Sequence, residues 1–303
     1  MYATALPSED AAPTRIPQAL RAHSRLRFEA CLAGARTVPG QVSEAGHARV
    51  RFPLSGRRSG ALEAVLLNTG GGIAGGDTIA NEIHARTGTR LTVTSQAAEK
   101  VYRSDGAVSA LDVALWVEAG ARLDWLPQPT ILFDAAHVER RIAADIAADA
   151  RLLMIEQVIL GRTARGERFQ TGRLSDSWRI RRDGRLIYAD GFHLGADAAA
   201  TLARPAVTGG WPAFATLLLV APGAEDLLAP ARITLGLPDG AAQDDAPLAA
   251  EPEAGGDLEA GVSAWDGMLS VRLIGRHGGA VEAAVRRLIG RLGLAETPRI
   301  WHS

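Results

Sequence analysis

The sequence predicts a mostly β protein. Three observations carry that reading. Short segments of alternating or continuous apolar residues follow one another along most of the 303 residues, at the roughly 8–12-residue spacing typical of all-β chains. These segments are rich in valine, isoleucine and threonine, which suit a pleated surface. One stretch only, residues 281–292 (VEAAVRRLIGRL), carries clear helical periodicity, so alternating β–α units are not expected.

In order, residues 1–20 are rich in Pro, Ala and Ser and predict a disordered tail, leaving residues 21–303 as one domain. Residues 25–28 (RLRF) and 47–54 (HARVRFPL) alternate polar and apolar; residues 62–67 are short and apolar. Residues 78–86 and 89–94 (TRLTVT) are strand-like, and Thr87-Gly88 between them predicts a tight hairpin. Residues 107–118 alternate with a one-residue slip near Ala110, read as a bulge. Ala119-Gly120 is a turn; residues 121–126 (ARLDWL) form a strand ended by Pro127 and Pro129. Residues 131–133 are apolar, and 137–146 alternate again. Residues 151–160 (RLLMIEQVIL) are the most apolar central run, stopped by Gly161. Residues 169–180, 185–189, 192–194 and 214–220 (FATLLLV) continue the β pattern, as does MLSVRLIG at 268–275. Residues 196–204 read as a short helix ended by Pro205. Residues 239–256, rich in Ala, Asp, Glu and Pro, read as a flexible loop. In 281–292, Val281, Val285, Leu288, Ile289 and Leu292 share one helix face. No clean sequence repeat stands out.

Composition narrows the function. A formal net charge of −1 gives no global attraction to nucleic acid or an anionic membrane. No run approaches the ~18 apolar residues of a membrane span, and the first residues lack a basic-then-apolar signal pattern. The single cysteine, Cys31, excludes an internal disulfide and a multi-cysteine metal site within one chain. A cytoplasmic location is expected.

The densest local signal is GGGIAGGD, with Gly70, Gly71, Gly72, Gly75 and Gly76 ahead of Asp77. A phosphate-binding loop needs a GK[ST] ending or a following helix, and here a strand follows. The preferred reading is a tight corner in which Asp77 binds backbone amides. The seven histidines are scattered without a local metal spacing; His137 and His193 stand nearest to carboxylate-bearing strands. Glu156, inside LLMIEQVIL, must be paired, face water or hold a cation. Asp190 ends LIYAD, and Glu99 stands beside Lys100, the only lysine. Carboxylates of this kind suit weak, exchangeable binding of a divalent cation; the alternative is a buried ion pair to an arginine such as Arg103 or Arg162. No Ser-His-Asp or Cys-His arrangement is recognisable.

Four ordered motifs — GGGIAGGD, TSQAAEKVYRS at 94–104, WLPQPTILFDAA at 125–136, and LLMIEQVILGR with GERF at 166–169 — together with a terminal PRIW resemble the urease accessory protein UreD (UreH) family. The resemblance spans about residues 24–301; Asn68-Thr69 and the 239–256 loop depart from the family pattern. It implies a helical stack of β-strands and sheets with a few helices. It also implies a non-enzymatic role in nickel insertion into urease, in complex with UreF and the GTPase UreG on the urease apoprotein. Nickel would be transient cargo, with no tightly bound cofactor. On that implication Glu156, Asp190 and Glu99 would line an internal polar passage. Gly71, Gly72, Gly75, Gly76, Asp77, Lys100, Tyr102, Arg103 and Trp125 would define the fold or make contacts. A pure assembly scaffold, through which no nickel travels, is the alternative.

Overall fold

The computed structural model describes residues 20–53, 60–238 and 256–302. Residues 1–19 of the predicted tail and 239–255 of the predicted loop lie outside the described residues. The chain runs through β1 (His23–Ala33), β2 (Arg36–Ala45), β3 (Ala48–Arg51), β4 (Leu62–Asn68), β5 (Thr78–Ala85), β6 (Arg90–Ser95) and β7 (Glu99–Val101). It continues through β8 (Ser109–Val117), β9 (Arg122–Leu126), β10 (Thr130–Leu132), β11 (His137–Ile146), β12 (Arg151–Leu160), β13 (Arg173–Arg182) and β14 (Arg185–Leu194). It closes with α1 (Ala198–Leu202), β15 (Ala213–Val220), α2 (Leu228–Leu235), β16 (Leu258–Trp265), β17 (Met268–Gly275) and α3 (Gly278–Arg291).

Two sheets result. The first is ordered β14-β13-β11-β8-β5-β1-β2, and the second β16-β17-β15-β12-β9-β6-β4-β3, with β7 and β10 added beside the end of β12. In the centre of each, neighbours are parallel. Antiparallel pairs close the ends. The chain therefore winds as a coil, crossing between the sheets and stacking each turn on the last.

The predicted hairpin at Thr87-Gly88 is not formed. β5 belongs to the first sheet and β6 to the second, so the tetrapeptide RTGT crosses from one to the other. Ile83 and Ala85 then face Leu91 and Val93 across one core. Pairing β5 with β6 would have placed both on one sheet and left nothing to cover it. The same crossing recurs as EAGA and AADA, each closed by a bond from its fourth N–H to its first carbonyl. Each is followed by Arg-Leu, and Arg90, Arg122 and Arg151 lie in register across β6, β9 and β12. A repeat therefore exists, but it is too short and degenerate to show in the sequence.

The expected bulge near Ala110 is also absent. β8 pairs without interruption on both sides, and Val108 merely precedes it, half-exposed. The register shifts fall instead at Phe28/Ala30 and Ile180/Arg181. Besides the three-residue β7, two strands went unread, β2 and β16. Both are largely exposed edge strands, so no buried face disciplines their pattern, and β2 contains Pro39-Gly40, a turn signal. Helix α2 was missed as well. Helix α3 packs Val281, Ala284, Val285, Leu288 and Ile289 on the outer face of the second sheet, with His277 Nδ1 accepting the Ala280 N–H as its cap.

Candidate functional site

The gap between the sheets is apolar over most of its length, and three of the residues that interrupt it carry charge. On β11 the inward phase reads Val138, Arg140, Ile142, Ala144 and Ile146. On β13 it reads Leu174, Asp176, Trp178 and Ile180. On β12, Glu156 takes the inward position between Met154 and Val158. These three charges meet. Arg140 Nη1 donates to Glu156 Oε2 at 2.5 Å across the gap. Its Nε donates to Asp176 Oδ1 at 3.1 Å, and its Nη2 to Oδ2. Trp125 Nε1 on β9 donates to Glu156 Oε1 at 2.7 Å. Burial pushes the Glu156 carboxyl up, opposed by the Arg140 charge and the Trp125 bond; since both its oxygens accept N–H groups, the bonding pattern is that of an ionised carboxylate. Burial opposes the charge on Arg140, but its two carboxylates outweigh that and raise its pKa.

Beside this triad lies a cavity of about 240 Å³, bordered by Glu156, Arg140 and Trp125 at its buried end and by Asn68, Glu99 and Lys100 toward solvent. At about 30 Å³ per water it has room for several. Asn68 Nδ2 donates to Glu99 Oε1 at 3.1 Å. Burial pushes the Glu99 carboxyl up, tempered by that bond. The fold thus favours protonated Glu99: its contribution to stability is full in acid and is lost as pH rises through the raised pKa. Glu99→Gln should raise the melting temperature at neutral pH by roughly 2 °C, a gap that closes on acidification; an unchanged melt at both pH values would contradict this.

Glu99 and Glu156 therefore share one cavity. Asp190 does not border it. It lies on β14, where Arg272 of β17 reaches it across the gap at 2.5 Å and also approaches the Tyr188 hydroxyl at 3.4 Å. Neither arginine weighed from the sequence is the partner of Glu156. Arg103 faces Asp134 at 3.7 Å, and Arg162 pairs with Glu167 at 2.6 Å. Among the described residues, no group of three or more His, Cys, Asp or Glu side chains is placed to hold a metal ion. His193 is exposed, and neither it nor His137 borders the cavity.

The glycine turn docks on β7 beside the cavity. Ile73 exchanges backbone bonds with Lys100 and Tyr102, and the Tyr102 hydroxyl donates to Gly71 O at 2.8 Å. Gly72 sits against the Tyr102 ring at φ +150°, leaving no room for a Cβ. Asp77 Oδ1 and Oδ2 accept the Ala22 and Ala74 N–H groups at 2.7 and 2.8 Å. No helix follows, so the turn offers no phosphate cradle.

Sequence reasoning missed Arg140 and Asp176. The signal was present: each interrupts an alternating pattern at a position where its neighbours are apolar, just as Glu156 does. It also missed Asp124, 3% exposed, which accepts from Arg122 and Arg151. Both arginines also donate to the Leu294 carbonyl at 2.5 Å.

A family model described as UreD urease accessory protein matches residues 20–302. The chain is 44% identical over 281 residues to the urease accessory protein UreD of Xanthobacter autotrophicus, covering 93% of this chain and 90% of that one. It is 45% identical over 293 residues to UreD 1 of Methylobacterium radiotolerans, covering 97% and 95%. It is 43% identical over 281 residues to UreD of Rhodopseudomonas palustris, covering 93% and 91%.

Proposed function

Since the chain belongs to the UreD family of urease accessory proteins, with a role in urease maturation, we propose that it serves nickel insertion. In this reading it acts without catalysis of its own, in the cytoplasm, with UreF and UreG on the urease apoprotein. Nickel released by the GTPase crosses this chain as cargo on its way to the urease site. The observation that supports it is the cavity between the sheets, which joins Glu99 near solvent to Glu156 in the core. Carboxylates in series, each too poor in ligands to trap the ion, suit transfer rather than storage. Asp190, which faces the gap from the opposite sheet and outside this cavity, would be a later station.

A second reading has its own support. Glu156 and Asp190 are each already paired with an arginine from the opposite sheet, as a purely structural scaffold would require. The experiment that separates the two is co-expression with UreF, UreG and apo-urease, then pull-down and nickel analysis of the urease. With Glu156→Leu or Asp190→Leu, the route predicts an assembled complex whose urease has lost most of its nickel. Full nickel loading by both assembled variants would leave only the scaffold.

A further inference from the structure

Arg140 has no place in a simple cation route, since a fixed guanidinium repels the ion that has to pass. It nevertheless sits at the buried end of the cavity, 5% exposed, on a strand face that is otherwise Val138, Ile142, Ala144 and Ile146. Taking that charge out of water is costly, and an apolar side chain in its place is often neutral or stabilising. What Arg140 does, physically, is occupy both oxygens of Asp176 and one of Glu156. We propose that Arg140 is a gate: a resident cation that fills the Glu156–Asp176 carboxylate pair and must be displaced before a divalent ion can enter it. The inference rests on the reading of the cavity as a nickel route.

Charge and space both support the exchange. Two carboxylates and one guanidinium sum to −1. A divalent ion in place of the guanidinium brings the pair to neutrality, whereas sodium or potassium leaves it at −1, with the full desolvation cost of displacing the arginine. The gate therefore also discriminates by valence. Arg140 borders the cavity, so its guanidinium has space to turn into. Beyond the gate, Glu156, Thr216 and Arg272 lie in one row across β12, β15 and β17. There the pairing is repeated: Arg272 holds Asp190 from the opposite sheet.

The test is nickel binding to the full-length chain, measured by equilibrium dialysis against NiCl2 in potassium buffer. Arg140→Gln removes the resident charge and leaves the two acids. It should bind one nickel ion on the order of a hundredfold more tightly than the unaltered chain. Arg140→Lys keeps the charge and should bind no better than the unaltered chain. Nickel affinity of folded Arg140→Gln within about threefold of the unaltered chain would overturn the gate. If Arg140→Gln does not fold alone, its cooperative melt should return in NiCl2 and not in KCl; no return in NiCl2 also overturns it. The route itself is read separately, from urease nickel with Glu156→Leu. Lost loading there with no nickel gain in Arg140→Gln rejects the gate and keeps the route. Full loading there rejects the route, and the gate with it, even if Arg140→Gln binds nickel.

Discussion

Asp124→Ala is expected to cost about 3 kcal/mol of stability, among the largest effects of any single substitution in this chain. Asp124 pairs with both Arg122 and Arg151, and those arginines reach from stacked turns of the coil to the Leu294 carbonyl just beyond α3. Removing the carboxylate leaves two partly buried guanidinium groups side by side, repelling each other around one carbonyl. The site is a clasp between the second sheet and the C-terminal segment, so the loss should be regional. Hydrogen exchange should accelerate first in α3, before the central strands β9 and β12. Urea unfolding gives the total. A midpoint shift worth less than about 1 kcal/mol, or exchange that rises evenly through the molecule, would mean that the apolar packing of α3 holds this segment without the clasp.

Asp77→Ala is expected to cost about 2–4 kcal/mol, because it strands two backbone N–H groups at once. Ala22 leads into β1 and Ala74 belongs to the glycine turn, and Asp77 bonds one with each oxygen from a position 8% exposed. The sharper test is Asp77→Asn. Its amide oxygen can serve one N–H, but its NH2 then faces the other donor, so asparagine should recover little of the loss. Thermal melts of the three proteins decide it. An asparagine variant as stable as the parent would show that only one of the two bonds matters. Because the turn also carries Ile73 onto β7, near-ultraviolet circular dichroism should report a disturbed Tyr102 in both variants.

Two buried acids, Glu156 and Asp124, show how far a sequence can be read. Glu156 was conspicuous because a charge inside LLMIEQVIL has to be answered. Its partner was equally marked, since Arg140 breaks the inward phase of residues 138–146 in the same way. What local pattern cannot show is that the two meet, because β11 and β12 are consecutive in the chain yet lie in opposite sheets. Asp124 was hidden for another reason. It follows Arg122-Leu123 as an ordinary polar step, and only the stacking of Arg151 beside Arg122 and the return of the chain at Leu294 bury it.

By itself the sequence determined the β character, most strand positions, the amphipathic face of α3 and the corner at Gly70–Asp77, because alternation, helical period and glycine chemistry act over a few residues. The tertiary structure decided which sheet each strand joins. It turned a predicted hairpin into a crossing turn, brought Glu99 and Glu156 to one cavity, and set arginines against Glu156, Asp176 and Asp124. Strand pairing is settled by burying apolar faces from distant parts of the chain. The energy of an ion pair depends on a separation and a dielectric that exist only once those faces have met.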